Sequence, residues 1–292
     1  MSLFAVAGVS GHTGRVVADT LLAHGHSVRV IVRDAAKGEP WKARGATVAV
    51  ADVENAAAFA SALKGADGAY VLLPPNMTTG NMRAYQAKAG RALVEAIAAA
   101  AIPHVVMLSS VGAQEPAGTG PIAALYPIEH ALRDLPNTGA SFLRAAYFME
   151  NLQGSFGMLD QGIFPTFAPK DAGMAMIATK DIGEVAAGLL LEGPPAPGKP
   201  RVVELGSTPY SASDVAAGLS KLLGKPIAAY EAPVASMAAA LAGYGMPADV
   251  AAMYQEMTEG AMAGLVKFEG GHRRASGKIT LDAFLAAALA QK

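Results

Sequence analysis

Hydrophobic residues in the first half of the chain fall into short β-forming runs, separated by longer alanine- and leucine-rich runs with polar positions at helical spacing. The short runs predict strands and the longer runs predict helices. Strands that alternate with helices indicate a parallel sheet covered on both faces, because parallel neighbours need long crossover connections. The predicted strands are residues 3–7, 28–32, 47–50, 69–73, 104–108 and 141–143, and the clearest predicted helices are 14–23, 55–63 and 81–100.

In the second half of the chain this alternation is less regular. The proline-rich segment "LLEGPPAPGKP" predicts an exposed connector, and a short strand, "RVVEL", follows it. Ser211 or Ser213 is the expected N-cap of the next helix. Residues 233–265 carry methionine and alanine at helical spacing. That pattern predicts packed helices, with an adaptable apolar lid over a substrate as the alternative.

A glycine loop, "GVSGHTG", lies directly between the first predicted strand and the first predicted helix. Gly8 permits the turn, Gly11 lets the backbone approach a pyrophosphate, and Gly14 lets the helix pack closely. The unbonded N–H groups at the start of a helix favour an anion. The alternative is a glycine turn that binds no ligand, but the strand–loop–helix–strand setting favours a dinucleotide site. The other expected cofactor-binding residues of this loop are Ser10, His12 and Thr13.

Composition narrows the classes of function. Hydrophobic residues make up 52% and charged residues 16%, which provides a large core and argues against disorder. A net charge of −1 without a basic block gives no sign of a nucleic-acid partner. The absence of cysteine excludes disulfides, thiolate zinc sites and cysteine nucleophiles. No HExxH or other metal-ligand spacing occurs, so no metal is expected. The central apolar stretch is too short for a bilayer and no signal-peptide pattern occurs, so we expect a cytoplasmic protein that does not enter membranes.

The spacing GxxGxxG resembles that of the short-chain dehydrogenase/reductase superfamily, and "GVSGHTGR" resembles the "GATGxxG" of its atypical, NmrA-like branch. Further segments resemble this branch in the same order along the chain. They are "VIVRDAAKG", "VAVADVENAAAFASALKGADGAYVLLPP", "HVVMLSSVGA", "FLRAAYFMENL" and, more weakly, "LGSTPYSASDVAAGLSKLLGK". The resemblance implies an NAD(P) cofactor. It also implies NADPH-dependent reduction of quinones or dyes, as in some members, or redox sensing without turnover, as in others.

Pattern and resemblance together predict an α/β protein with a doubly wound, parallel-sheet Rossmann fold. Residues 1–150 are the expected NAD(P)-binding domain. Residues 151–292 are the expected smaller, mostly helical substrate-binding part, and a segment near 178–192 is expected to return to the Rossmann core. Self-association into a homo-oligomer stays open.

The end of the second predicted strand indicates which cofactor is bound. An acid there takes the ribose hydroxyls of NAD, whereas an arginine accommodates the 2′-phosphate of NADP. Asp34 leaves NAD(H) as an alternative. The resemblance places Arg33 at the phosphate, with Lys37 in the following turn, and a guanidinium offers two charge-assisted bonds. NADP(H) is therefore the preferred cofactor. The resemblance also implies that Asp52 meets the adenine and that Leu73, Pro74 and Pro75 line the ribose and phosphates.

The superfamily's oxidoreductases use a serine after the fifth strand and a tyrosine four residues before a lysine. Here Ser109 and Ser110 follow the strand, Ser109 on the cofactor side, and Tyr126 stands four residues before His130. Ser110, Tyr126 and His130 are the candidate catalytic residues. An imidazole is mostly neutral at pH 7 and lowers the pKa of a phenol less than an ammonium does. A second alignment, anchored on Glu129, also leaves the lysine position without a lysine.

Hydride transfer to an electron-poor planar acceptor does not need a proton donor from the protein, because the product anion can take a proton from water. The expected acceptor pocket includes Tyr147, Phe148 and Asn151 of "AAYFMENL", and Tyr147 is also expected to contact the cofactor. We therefore predict an oxidoreductase that transfers hydride from NADPH to a small, planar, apolar acceptor such as a quinone. The alternative is a non-catalytic NADP(H)-binding redox sensor.

Overall fold

The computed structural model describes residues 2–290, and their secondary structure alternates as the hydrophobic pattern predicts. The strands are β1 (Leu3–Ala7), β2 (Ser27–Val32), β3 (Thr47–Val50), β4 (Gly68–Leu72), β5 (His104–Ser110), β6 (Gly139–Ala145), β7 (Tyr147–Phe148), β8 (Ile163–Thr166), β9 (Met174–Ile177), β10 (Arg201–Leu205), β11 (Pro209–Tyr210), β12 (Ala228–Glu231) and β13 (Arg273–Ala275). The α-helices are α1 (His12–Ala23), α2 (Glu39–Lys42), α3 (Ala56–Leu63), α4 (Met82–Ala100), α5 (Leu125–Arg133), α6 (Thr179–Leu191), α7 (Ala212–Leu223), α8 (Met237–Gly243), α9 (Ala248–Met262) and α10 (Leu281–Leu289). The 3-10 segments are Ala35–Gly38, Gly120–Ala124, Met149–Gln161 and Val234–Ser236.

The main sheet has eight strands in the order β13-β10-β6-β5-β4-β1-β2-β3, and every neighbouring pair is parallel. The order reverses between β1 and β4. In doubly wound sheets this switch point opens a crevice at the carboxyl ends of the strands, where ligands bind. The predicted fold class is confirmed. The six predicted strands are all present, with ends shifted by up to two residues, and α1 begins at His12 rather than at residue 14.

Two apolar layers hold the helices against the sheet. On one face Val17 of α1 and Ile182 of α6 pack with the strands, and on the other face Phe59 of α3, Leu93 of α4 and Leu132 of α5 do so. Both layers consist of side chains that are almost completely buried. Burial of this kind stabilises the fold by about 1.5–3 kcal/mol for each large aliphatic or aromatic side chain.

The second half of the chain contributes to both the sheet and a separate lobe. Helix α6 lies against α1, while β10 and β13 extend the sheet beyond β6. The lobe contains α7, α10 and the 3-10 segment Met149–Gln161, together with two small sheets, β7-β9-β11 and β8-β12. Its core includes Leu219, Phe284 and Leu285. Ser211 is the N-cap of α7 and forms a reciprocal capping box with Asp214. A domain boundary at residue 150 stays a prediction, since elements from both halves share the main sheet.

Within residues 2–290, no helix combines the length and the apolar character that crossing a membrane requires.

Candidate dinucleotide and acceptor site

The glycine loop joins β1 to α1 at the switch point of the sheet. Gly8 has a φ of +71°, and its carbonyl accepts from the Gly11 N–H at 2.9 Å, which closes the turn. A Cβ at Gly14 would lie 2.5 Å from the Ala7 carbonyl oxygen and 2.6 Å from that of Gly8. Only glycine therefore lets α1 start directly against β1, as the sequence predicts for the first and third glycines of the loop.

The N-terminus of α1 is not capped by any side chain. Its N-cap residue is Gly11, and its first turn contains no acidic residue. Ser10, Gly11 and His12 are exposed. The first N–H groups of a helix have no partner within the helix, so these donors are available to an anion at the carboxyl edge of the sheet. Side chains do cap other helices, namely Asn55 for α3, Asn81 for α4, Ser211 for α7 and Thr280 for α10.

Thr13 lies in the same first turn, but its side chain points into the core. The buried Tyr70 hydroxyl of β4 donates to Thr13 Oγ1 at 2.9 Å. Burial raises the pKa of Tyr70, which keeps the phenol protonated and able to donate. A contribution of Thr13 to an anion would come from its backbone N–H. Tyr70 was not predicted as a site residue. Its hydroxyl is a single polar atom in the middle of a buried strand, and this is the only sequence signal that could have pointed to it.

The predicted ribose and adenine residues meet around Tyr85 of α4. Its hydroxyl donates to the Pro74 carbonyl at 3.1 Å. Burial raises the pKa of Tyr85, the charges of Glu54 and Asp52 raise it further, and the charge of Arg33 opposes them. The hydrogen bond thus places Tyr85 at the loop of Pro74, and the charges of Asp52 and Arg33 act on the same phenol. Tyr85 itself was not predicted as a site residue.

Beyond β2, Arg33 and Lys37 are both exposed. The Asp34 carboxylate accepts from the Ala36 N–H at 2.9 Å and caps the 3-10 segment that holds Lys37. The carboxylate is therefore already used in a local turn. Asp34 is exposed as well, but the two basic side chains outnumber the single acid at this strand end, which favours a phosphate over ribose hydroxyls.

Ser109 at the end of β5 belongs to a buried network of charged side chains. Its hydroxyl donates to Glu129 Oε1 at 2.5 Å. Arg144 donates to both carboxylate oxygens of Glu129, at 3.1 and 2.7 Å, and to Glu269 at 2.5 Å. Glu269 also contacts His272, at 2.9 Å. The Ser109 hydroxyl is thus directed to Glu129 in the interior, and a cofactor contact by Ser109 stays a prediction.

The three candidate catalytic residues make local hydrogen bonds. Ser110 donates to the Val111 carbonyl at 3.0 Å. In α5 the Tyr126 and His130 rings are 4.0 Å apart between centroids. His130 Nδ1 lies 2.8 Å from the Tyr126 carbonyl oxygen, which can only accept, so Nδ1 carries the hydrogen. Tyr126 and His130 are therefore neighbours on one face of α5, and their catalytic role stays a prediction.

The predicted acceptor residues follow β6 directly. Phe148 packs on the core of the main sheet, and Tyr147 packs on the core of the lobe. Burial raises the pKa of Tyr147 to about 12, with a further contribution from Tyr254 and an opposing hydrogen bond with Asn151. The role of Tyr147 and Asn151 in an acceptor site stays a prediction, and Tyr254 of α9, which also affects the pKa of Tyr147, lies in a part of the chain that was not assigned to the site.

Helix α9 reaches this place because it is anchored on the N-terminus of α4. Val250 and Met253 are buried against Met82. Asp249 accepts from the Met82 N–H at 2.6 Å. The Tyr254 hydroxyl lies 3.4 Å from the Met77 sulfur in the loop between β4 and α4. Packing therefore accounts for part of the methionine pattern, and the same packing holds α9 beside the carboxyl edge of the sheet.

The strand order, the switch point and the glycine loop define a doubly wound α/β protein of the Rossmann type. Its second lobe and α9 stand over the carboxyl edge of the sheet. The model of the NmrA-like family matches residues 1–283, and the chain belongs to this family. The resemblance found in the sequence is therefore confirmed.

Relatives with known names match most of the chain. It is 27% identical over 256 residues to the NAD(P)H azoreductase of Xenophilus azovorans, covering 86% of this chain and 85% of that protein. It is 28% identical over 268 residues to quinone oxidoreductase 2 of Escherichia coli strain K12, covering 90% and 89%.

Solved structures show the same architecture. An Escherichia coli NADPH-dependent quinone oxidoreductase complexed with NADPH superposes with a TM-score of 0.82 at 26% identity, covering 98% of this chain and 99% of that chain. The negative transcriptional regulator NmrA in complex with NAD superposes with a TM-score of 0.66 at 18% identity, covering 79% and 74%. The second likeness shows the fold alone.

Proposed function

We propose that the protein is an oxidoreductase that transfers hydride from NADPH to a planar, apolar acceptor such as a quinone. The observation that carries the proposal is the uncapped, exposed N-terminus of α1 behind a loop in which Gly8 and Gly14 admit no side chain. The matched relatives, an azoreductase and a quinone oxidoreductase, support the same chemistry.

The chain offers a continuous set of cofactor-binding residues along the carboxyl edge of the sheet. The loop from Gly8 to Gly14 would hold the diphosphate through backbone N–H groups. Arg33 and Lys37 would hold the 2′-phosphate, which favours NADP(H) over NAD(H). Asp52 would meet the adenine. The cofactor, when bound, supplies the hydride, and the protein supplies position and exclusion of water. Leu73, Pro74, Pro75, Ser109 and Tyr147 complete the proposed set.

The proposed acceptor site is formed by Tyr147, Phe148 and Asn151. We further propose that the protein works without a tyrosine–lysine pair, because His130 stands at the lysine position and its Nδ1 is bonded to its own helix. Hydride-accepting quinones, azo compounds and cationic dyes tolerate this absence, since solvent can protonate the anion formed from a quinone or an azo compound, and a cationic dye becomes neutral without a proton. Tyr126, Ser110 and His130 would then contribute to packing or orientation rather than to proton transfer.

The test is to mix purified protein with NADPH and a panel of quinones, azo dyes and cationic dyes, and to follow the loss of NADPH absorbance. We expect oxidation above the rate without protein for at least one acceptor, and slower oxidation with NADH. Absence of oxidation with every acceptor would reject the enzyme. The redox sensor would then be tested by calorimetric titration with NADP⁺ and NADPH, because a sensor must bind the two forms with different affinity.

A further inference from the structure

Residues 265–272, in the connection between α9 and the edge strand β13, lie across the carboxyl ends of β6 and β10. Near the end of β6, the Arg144 guanidinium donates to the Glu269 carboxylate at 2.5 Å. Near the end of β10, the Glu204 carboxylate accepts from the Glu269 N–H, also at 2.5 Å. These eight residues, named the crossing segment below, are therefore attached to two neighbouring strands of the main sheet at Glu269.

Apolar contacts place the crossing segment beside the proposed acceptor residues. A Cβ at Gly206 would lie 2.8 Å from the Phe268 ring and 3.1 Å from the Ala146 Cβ, so the ring fills the space that a side chain at position 206 would need. Ala146 comes directly before the proposed acceptor residues of β7. Phe148, Val266 and Phe268 all pack against the same apolar core of the main sheet. The segment thus borders the strand ends from which the acceptor residues follow.

Arg144 joins two carboxylates that differ in burial. The side chain of Arg144 is 7% exposed and that of Glu129 is 5% exposed, whereas that of Glu269 is 44% exposed. Burial opposes the ionisation of Glu269, but hydrogen bonds from Arg144 and His272 lower its pKa, so it is charged at neutral pH. Arg144 keeps both bonds to Glu129 when Glu269 is changed, so no buried charge is left without a partner. The bond to Glu269 therefore fixes the crossing segment rather than the interior of the sheet.

We propose that Glu269 is a positioning residue for the acceptor: through Arg144 it holds the crossing segment beside Phe148, and the segment forms one side of the acceptor site. The inference rests on the proposed function. An apolar ligand binds more tightly when the walls of its site are already in place, because binding then does not have to order them. The proposed diphosphate and 2′-phosphate sites lie at β1 and β2, beyond the switch point, so the affinity for NADPH does not depend on Glu269.

The test uses two variants that loosen the crossing segment in different ways. Glu269→Gln keeps the shape of the side chain and removes its charge, whereas Phe268→Leu shortens the apolar contact and leaves the charges unchanged. Glu184→Gln is the control, because Glu184 of α6 also forms an ion pair, with Lys278 at 3.3 Å, and its side chain is 35% exposed. The measurements are steady-state kinetics with NADPH and 1,4-naphthoquinone, calorimetric titration with NADPH, and thermal unfolding.

We expect Glu269→Gln to raise the KM for the quinone by roughly 5-fold, the equivalent of one net hydrogen bond, and Phe268→Leu to act in the same direction. The kcat, the NADPH affinity and the unfolding temperature of Glu269→Gln should stay close to those of the wild type, and the control should match the wild type throughout. An unchanged KM would overturn the proposal. Parallel losses of kcat, NADPH affinity and thermal stability would show a merely structural role and would overturn it as well.

Two measurements without turnover separate this inference from the proposed function. Lys267 is exposed within the crossing segment, so tryptic cleavage after Lys267 reports how firmly the segment is attached. We expect faster cleavage in Glu269→Gln than in the control, and equal rates would overturn the attachment. If the wild-type protein does not reduce the quinone, the proposed function fails, and calorimetric titration of naphthoquinone into protein saturated with NADP⁺ replaces the kinetics. Weaker binding by Glu269→Gln than by the control then supports the positioning role, whereas equal binding, or no binding by the wild type, overturns it.

Discussion

Helices α1 and α6 lie side by side with their N-termini at the same edge of the sheet, but their first turns are satisfied in opposite ways. At α6 the Thr179 N–H donates to Glu150 at 3.0 Å, and the Thr179 hydroxyl donates to the same carboxylate at 2.6 Å. At α1 the N-cap is Gly11, without a side-chain partner. The helices touch where Gly183 meets Val16, since a Cβ at Gly183 would lie 2.5 Å from the Val16 Cβ.

The difference shows that the same edge of the sheet contains one helix N-terminus that a carboxylate caps, at α6, and one that no side chain caps, at α1. At α6 the capping carboxylate is Glu150 of the same chain, so the N–H groups of that helix N-terminus find their partner within the folded protein. The end of α1 offers equivalent donors to solvent, and a bound diphosphate would play the part that Glu150 plays at α6. Four predictions follow in order of decreasing expected effect: three test this contrast, and one measures a pH effect at the other edge of the sheet.

The largest effect is expected for Gly14→Ala. The added Cβ would meet backbone atoms of Ala7 and Gly8 at 2.5–2.6 Å, so α1 must move away from β1 and from its loop. We expect NADPH binding to be lost and stability to fall by about 1–3 kcal/mol. Calorimetric titration and thermal unfolding measure the two effects.

The matched control is Gly188→Ala in α6, where a Cβ meets nothing within 4 Å. This change should raise stability by about 1 kcal/mol, the ordinary gain of alanine over glycine in a helix, and leave binding unaltered. Wild-type affinity in Gly14→Ala would contradict the view that the end of α1 is the diphosphate site.

Arg33→Ala tests whether the proposed diphosphate site at the uncapped N-terminus of α1 has a neighbouring site for the 2′-phosphate. We expect NADPH binding to weaken by about 1.5–3 kcal/mol, the range for hydrogen bonds to charged groups, and NADH binding to stay nearly constant. Titration of the same protein with both dinucleotides provides the internal control. Equal weakening of the two would show that Arg33 does not contact the phosphate.

His104, at the other edge of the sheet, makes the stability of the protein depend on pH. His104 is 1% exposed, and its Nε2 lies 3.1 Å from Ser141 Oγ. Burial, together with the charge of Arg201, lowers the pKa of His104 to about 4. The unfolded chain binds the proton more readily, so stability is lost as the pH falls from about 6.5 towards 4.

We expect His104 to account for a loss of about 2 kcal/mol between about pH 7 and pH 5. Urea unfolding of the wild type and of His104→Gln at both pH values isolates this contribution, because other acid-sensitive groups are common to both proteins. An equal pH dependence in the two proteins would disprove it.

The smallest effect is expected for Glu150→Gln. The amide still accepts from Thr179, but it lacks the charge that favours the positive end of α6, so we expect a loss of about 1 kcal/mol in unfolding free energy. NADPH affinity should be unchanged. Glu95→Gln on the exposed face of α4 is the control and should alter stability by less than about 0.5 kcal/mol. A large loss of NADPH affinity in Glu150→Gln would show that the two helix ends are not independent.

The pattern of the chain was sufficient for the first six strands, for the helices between them and for the glycine loop. These features depend on interactions between near neighbours in sequence and on backbone geometry at single residues. The turn at Gly8 and the close approach at Gly14 are of this kind, and so is the N-cap of α7, which the sequence placed at Ser211 or Ser213. Arg33 at the end of β2 was assigned to the phosphate from the family resemblance, and its contact with the cofactor stays a prediction.

Other parts of the site exist only because the tertiary structure brings distant residues together. Thr13 and Tyr70 are 57 positions apart, and Met77 and Tyr254 are 177 positions apart. Contacts between residues so far apart in the chain cannot be predicted from hydrophobic periodicity. They depend on how α9 packs against the rest of the protein and on the direction in which each side chain points. A serine or threonine beside a glycine loop looks equally available whether its hydroxyl faces solvent or, like Ser109, a buried carboxylate.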